Sequence, residues 1–269
     1  MFENLFSQTP RLVLDMDNTP SLPANFRILP DLASASGQFS IKSLQLIKQT
    51  LPQEKKLVFV DLREESHGFV NELAVCWYGN KNRANLSKSI SEIAEDEKTR
   101  LEALCEERRA AIYFKKPPVA DTPFAVSVTS ISTESDLMDS ENLHYIRIPV
   151  TDHEAPRTDA VDRFVQCVKE TSSDMWLHIH CRKGRGRSST MLSLLDMMKH
   201  AKHDSFELIM KRNLQIGGSD LLFIPHPNEP KYEQKLERKL FLEQFYTYCL
   251  TSDAQFSTSW SEFLVDHNR

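Results

Sequence analysis

Between Tyr145 and His200 the hydrophobic pattern switches period repeatedly, and that alternation restricts the fold more than any other feature of the chain. An apolar run from Tyr145 to Val150 ends at Thr151-Asp152. From about Asp159 to Glu170 the residues Val161, Phe164, Val165 and Val168 recur at helical spacing. A second run, Trp176 to His180, ends at Cys181, and Ser188 to His200 reads as a helix rich in Met and Leu. Strand, helix, strand, helix is the pattern of a parallel sheet covered by helices. Leu57 to Val60, ending at Asp61, adds another buried strand, and Lys231 to Leu250 adds a long amphipathic helix. Ligands of open α/β sheets sit beyond the carboxyl ends of the strands, which is where Asp61, Asp152 and Cys181 fall.

The stretch from about Phe69 to Asn142 does not follow this pattern. It holds a charged helical run from Leu86 to about Arg109, then β-like pieces at Ala111 to Phe114 and Phe124 to Val128, with Lys115-Lys116-Pro117-Pro118 between them. It reads as a smaller subdomain inserted into one domain that spans residues 1–269, a length that buries a sizeable core without staples. The net charge of -5 does not predict nucleic-acid binding, so a basic site must be local. Five cysteines, none in a CxxC pair, suggest neither a zinc site nor a dithiol centre. The N-terminal segment lacks the cationic and apolar regions of a signal peptide, and no stretch approaches the roughly 18 apolar residues of a membrane span. The expectation is a cytoplasmic protein, or one exported without a recognisable signal peptide.

The loop that follows the Trp176–His180 run reads HCRKGRGRSS, residues 180–189. Linking a buried strand to a helix, it forms an anion cradle. Gly184 and Gly186 allow a tight concave backbone with inward N–H groups, and the helix N-terminus adds free donors and partial positive charge. Arg187 closes the cradle with a planar fork suited to two oxygens of one phosphate. Arg182, Lys183 and Arg185 add charge around it. The same surroundings favour the thiolate of Cys181, a nucleophile, and Ser188 can offer it a hydroxyl hydrogen bond. Attack on phosphorus also needs an acid for the leaving oxygen and a base for water, and Asp152 at the neighbouring strand end can serve as both. His178 and His180 share one strand face, and with no complete ligand set beside them they read as core or supporting histidines rather than metal ligands.

A second signal competes. LVLDMDNT, residues 12–19, resembles the first motif of the haloacid dehalogenase superfamily, in which one aspartate attacks phosphorus with magnesium present. The downstream lysine and late acidic pair of that motif set are not evident, and a strand running into a solvated turn accounts for Asp15 and Asp17.

The motifs taken together resemble the bacterial protein-tyrosine-phosphatase-like phytases, or cysteine phytases. The resemblance runs from about Asn25 to Tyr248. It is carried by NFR at 25–27, VDLREESHGFVN at 60–71, WYGNKNRANLSKS at 77–89, YIRIPVTDHEAP at 145–156, the cysteine loop, IGG at 216–218 and EQFYTY at 243–248. It implies a phosphatase core with a central, mostly parallel sheet, a small inserted partial β-barrel subdomain, and stepwise removal of phosphates from inositol hexakisphosphate without metal or other cofactor. Carried over by motif, Cys181 is the nucleophile, Arg187 the phosphate clamp, Asp152 the general acid and His153 its neighbour at the substrate. Arg27, Lys116, Lys231 and Arg238 are similar to the cations that hold the other phosphates, with Lys235 an added candidate. Asn82 stands where the family often has aspartate, Arg83 where it has tryptophan, Glu154-Ala155 where it has an aromatic, and Lys235 where it has a tyrosine of its late helix. These positions bear on substrate orientation and on which phosphate leaves first.

A protein-tyrosine or phosphoinositide phosphatase would use the same chemistry, but a flat phosphotyrosine needs one phosphate site and an aromatic wall, whereas these cations suit a small polyanion. A phosphate-binding module without turnover has no need of Cys181, Arg187 and Asp152 together, and a sulfurtransferase has no use for the acid. The sequence leaves the oligomeric state open.

Overall fold

The apolar runs at 57–60, 145–150 and 176–180 become strands of one sheet. The computed structural model describes residues 10–79 and 82–267. Asn80 and Lys81 of the WYGNKNRANLSKS segment lie outside the described residues, as do residues 1–9, on which the signal-peptide expectation partly rests. In chain order the elements are β1 (Arg11–Met16), β2 (Arg27–Leu29), β3 (Ala33–Ser36), α1 (Ile41–Thr50), β4 (Lys56–Arg63), β5 (His67–Val70), β6 (Leu73–Tyr78), α2 (Ile90–Glu107), β7 (Arg109–Ile112), β8 (Phe124–Ser127), β9 (Ile131–Ser132), α3 (Glu134–Ser140), β10 (His144–Val150), α4 (Thr158–Glu170), β11 (Met175–His180), α5 (Gly186–His200), α6 (Phe206–Gln215), α7 (Tyr232–Thr251) and α8 (Trp260–His267).

The chain divides into two compact units, each entered by three stretches of sequence. One comprises residues 24–37, 51–63 and 143 onward; the other comprises the residues up to Pro23, 38–50 and 64–142. The first holds a five-stranded sheet in the order β10-β4-β11-β3-β2, parallel except where β2 runs against β3. Val58, Val60, Leu62, Leu177 and Ile179 enter one core with Ala160, Val161, Phe164, Val165 and Val168 of α4. These α4 residues share one face because they recur at helical spacing. α5 is buried over Arg187–Met197, which is why its sequence shows no amphipathic stripe. Phe241, Phe245 and Tyr248 of α7 pack their rings against Trp260 of α8.

The second unit holds the antiparallel sheet β1-β6-β5-β9 and the pair β7-β8. Its core joins Leu12, Val70, Val75 and Trp77 to Leu101 of α2 and to Ala110 and Ile112 of β7. Within it the buried His67 ring lies between Glu97 (3.1 Å) and Glu134 (3.3 Å).

The dehalogenase-like reading of LVLDMDNT fails on topology. β1 ends its four-stranded sheet, paired antiparallel with β6 and joined on its other side only by a parallel bridge from Val13 to Tyr113, so it is not the central strand of a parallel sheet that the motif requires. Asp15 Oδ1 lies 3.3 Å from Cys76 Sγ, and Asp17 Oδ1 accepts from the Thr19 amide (3.3 Å) and hydroxyl (2.7 Å), the hydrogen bonds of a turn.

Candidate active site

Cys181 follows the last residue of β11 and sits 3% exposed at the carboxyl edge of the parallel sheet. Its amide points to the Ser36 carbonyl at the end of β3 (3.4 Å), so the loop begins by leaning on the adjacent strand. Lys183 forms a backbone bridge with Gly37, and Asn25 Nδ2 donates to the Lys183 carbonyl at 2.7 Å. The turn itself is made at Gly184, whose φ is +67°. A Cβ there would lie 2.3 Å from Gly37 N and 2.5 Å from the Ser36 carbonyl carbon, so both the backbone angle and the contact exclude a side chain. Gly186 differs from its sequence reading. It opens α5 without a positive φ, and its missing side chain instead makes room for Arg238, whose Nη1 would be 3.0 Å from a Cβ.

The loop's cations divide by exposure. Arg182 and Arg187 are buried, while Lys183 and Arg185 are exposed. Arg187, in the first turn of α5, directs Nη1 to the carbonyls of Leu62 (3.4 Å) and Val150 (3.3 Å) near the ends of β4 and β10, and Nη2 to Asp152 Oδ1 (3.4 Å). Strand ends thus aim the guanidinium, and a phosphate bound to it would compete with Asp152 for the same N–H groups. The Ser188 hydroxyl, expected beside the thiolate, donates to the Ser36 carbonyl at 3.3 Å.

Arg27 is 4% exposed and braces the loop from behind. Nη1 donates to the carbonyls of Gly184 (2.7 Å) and Asn25 (2.9 Å), and Nη2 to Ser189 Oγ (2.9 Å). Burial pushes its guanidinium down to about 10, against an opposing pull from Cys181, and it stays cationic at neutral pH. Its donors therefore serve the loop.

Asp152 and Lys231 both approach the His153 ring. His153, at φ +71°, places Nε2 3.7 Å from Asp152 Oδ2, while Lys231 Nζ lies 3.3 Å from the same ring nitrogen. Burial lowers the His153 imidazole below its ordinary range; Asp152 opposes that, and Lys231, Arg187 and Arg238 add to it. Lys231 immediately precedes α7 in a left-handed conformation (φ +72°). One turn on, Lys235 Nζ lies 4.6 Å from the centre of the Phe223 ring. Arg238, 8% exposed, donates from Nη2 to the Glu154 carbonyl at 2.8 Å, and burial lowers its guanidinium while Asp152 raises it. Lys116 belongs to the other unit, where its Nζ lies 4.4 Å from the centre of the Tyr78 ring.

One group escaped the sequence reading, as did the partners of another. Ser36-Gly37 supports the loop, but ASASG carries no apolar period to mark it as a buried strand end. Asp61 gathers the Arg63 amide (2.8 Å), the Tyr145 hydroxyl (2.9 Å) and Arg147 Nε (3.4 Å) at the end of β4. Its position at a strand end was visible in sequence, but its partners were not.

A parallel α/β sheet with a loop of this form at its carboxyl edge has the architecture of cysteine phosphatases. The family model for protein-tyrosine-phosphatase-like phytases, described by the words inositol hexakisphosphate, matches residues 60–199, just over half of the chain, and the chain belongs to that family. A phytase of this type from Bdellovibrio bacteriovorus shares 32% identity and superimposes with a TM-score of 0.81 over 98% of each chain. The tandemly repeated phytase of Mitsuokella multacida gives 28% identity and a TM-score of 0.89 over 98% of this chain and 50% of that one. A myo-inositol phosphatase of the same type and organism, solved with myo-inositol-(1,3,4,5)-tetrakisphosphate, gives a TM-score of 0.88 at 28% identity. Effector protein hopD2 of Pseudomonas syringae pv. tomato is 26% identical over 216 residues, 77% of this chain and 46% of that protein. The chain thus spans about half the length of hopD2 and of the Mitsuokella proteins.

Proposed function

We propose that this chain is a phosphomonoesterase that removes phosphates stepwise from inositol polyphosphates, inositol hexakisphosphate among them, through a phosphocysteine intermediate. The observation that carries this reading is the convergence on one loop of Cys181, the buried Arg187 fork and Asp152, with His153, Lys231 and Arg238 beside them. The thiolate of Cys181 attacks phosphorus, the bond to the inositol oxygen breaks, and Asp152 gives that oxygen its proton. Water, losing a proton to Asp152, then attacks the phosphocysteine, which releases inorganic phosphate and restores the thiolate. Arg187 and the amides at the start of α5 hold the phosphate oxygens through both steps, and Ser188 turns its hydroxyl from Ser36 toward the departing sulfur. Arg182, Lys183, Gly184, Arg185 and Gly186 shape the cradle. Positive charge comes from the protein, so the scheme needs no metal. Arg27, Lys116, Lys231, Lys235 and Arg238 are the proposed cations for the remaining phosphates, with Arg27 acting through the loop it braces. Support for the inositol substrate comes from the family match and from the Mitsuokella complex with an inositol tetrakisphosphate.

The test is phosphate release from inositol hexakisphosphate, a phosphotyrosine peptide and a phosphoinositide, each with and without EDTA, against Cys181→Ser. The expected result is EDTA-resistant turnover that favours the inositol phosphate and is lost in Cys181→Ser. A preference for peptide or lipid would replace the substrate assignment, and turnover in Cys181→Ser would end the phosphocysteine scheme.

A further inference from the structure

Behind the cysteine loop runs a buried polar chain that the hydrolysis scheme does not use. Trp176 Nε1 donates to Ser34 Oγ at 3.0 Å, and that oxygen lies 2.9 Å from His178 Nδ1. On the other side of the ring, His178 Nε2 lies 3.0 Å from Ser36 Oγ, which donates to the Gly37 carbonyl at 2.7 Å. Ser34, Ser36 and His178 are fully buried. Strand register makes the arrangement: His178 of β11 stands opposite Ser34 of β3 on one side and Phe59 of β4 on the other. The Phe59 ring lies 5.1 Å from the imidazole and the Phe26 ring 6.0 Å, so aromatic walls hold it in place, with the His180 ring stacked at 6.4 Å.

The donors at the two ends set the protons between them. Ser36 has one hydroxyl proton and gives it to Gly37, so its oxygen accepts from His178 and the ring proton sits on Nε2. Ser34 accepts from Trp176 and has its own proton free for Nδ1. The result is a ring that carries a proton on Nε2 and sets each nitrogen against a serine hydroxyl. A histidine retained for volume alone would not need serines at both nitrogens, since an apolar side chain fills space without any polar group to satisfy.

Ser36 is also the residue on which the cysteine loop rests. Its carbonyl faces the Cys181 amide (3.4 Å) and accepts the Ser188 hydroxyl (3.3 Å), and Gly184 packs directly on the Ser36-Gly37 peptide. We propose that His178 is a positioning residue for Cys181: by donating to Ser36 Oγ it fixes the strand end that sets the sulfur's line of attack. This inference rests on the reading of Cys181 as the nucleophile.

The experiment compares His178→Leu, which keeps bulk and removes the donor, with His178→Gln, whose amide nitrogen can reach the position of Nε2, and with Ser36→Ala. His178→Leu is expected to lower kcat by about tenfold to a hundredfold with KM nearly unchanged, the scale of a reacting group displaced by about 1 Å. It should also slow alkylation of Cys181 by iodoacetamide, and His178→Gln should recover most of both. Ser36→Ala should match His178→Leu, and the double variant should be no worse than either single one, since both remove one hydrogen bond. Ring 15N shifts of wild-type His178 should report the Nε2–H tautomer. Unchanged kcat in a folded His178→Leu, additive losses in the double variant, a loss confined to KM, or the opposite tautomer would each overturn the proposal. Should His178→Leu fail to fold, His178→Gln and Ser36→Ala carry the same comparison. Alkylation is read without substrate, so its outcome is independent of the choice of phosphoester and of the Cys181→Ser control.

Discussion

Gly184 does two things at once, and both can be tested by adding a single methyl group. Its φ of +67° disfavours any Cβ, and the Ser36-Gly37 peptide occupies the space that a Cβ would need. Gly184→Ala should therefore strain the loop by about 1–3 kcal/mol, lower the melting temperature and reduce turnover at least tenfold in the same preparation. Arg187→Lys keeps the charge but loses the fork that reaches both Asp152 and two strand-end carbonyls, and kcat/KM should fall by about 10²–10³ in steady-state assays. His153 makes a pH prediction. Its imidazole is held below its ordinary range, so its contribution to stability is present above its unfolded value near 6.5 and is lost as pH falls toward the lowered folded one. Phosphates bound at Lys231, Arg187 and Arg238 offset those cations and raise it again. Binding should then take up a proton, visible by calorimetry in buffers of different ionisation heat, and His153→Gln should reduce that uptake. The residue types of this site were legible because phosphorus chemistry requires a nucleophile, a fork and an acid. The distinct uses of Gly184 and Gly186 were not, because both depend on neighbours far away in the chain.

At the scale of elements, the sequence located α2, α4, α5 and α7, passed over α1, α3, α6 and α8, and misjudged the ends of α2, where capping decides. The charged run read from Leu86 to Arg109 becomes α2 at Ile90–Glu107. Ser89 caps it by accepting from the Glu92 amide while Glu92 bonds back to Ser89, and Arg108 closes it in a left-handed turn. The S-x-x-E spacing at 89–92 was present in the sequence and marks the start more sharply than hydrophobicity does. Ser89→Ala should cost about 1 kcal/mol in a urea melt without altering catalysis. Phe164, fully buried on the sheet-facing side of α4, should be far more costly: Phe164→Ala is expected to lose about 3–5 kcal/mol by the same measurement. β2 and β3 are among the elements that pattern did not find, with β5, β6, β9, α1, α3, α6 and α8. RIL and ASAS are too short, and ASAS too small in its side chains, for alternation to register, yet β3 supplies the strand end against which the cysteine loop is built.

Across the whole molecule, a net charge of -5 coexists with a cluster of cations around one loop. Attraction of a highly charged substrate to such a cluster is screened by salt, so kcat/KM for inositol hexakisphosphate should fall with ionic strength more steeply than that for a phosphotyrosine peptide, as a salt series would show. No helix among the described residues is long and apolar enough to cross a membrane. The sequence by itself determined the parallel-sheet class, the buried face of α4 and the residue types of the cysteine loop, because these depend on hydrophobic period and on residues close together in the chain. The tertiary structure added the reason why LVLDMDNT, whose partner motifs the sequence already lacks, has no suitable setting: its strand pairs antiparallel with β6. It also decided that Arg27 faces the loop, that Arg187 is aimed by the ends of two strands, and that Ser36 lies beneath Cys181. The physical reason is common to all three. Each depends on strand register and on contacts between residues more than 30 positions apart, which local pattern does not encode.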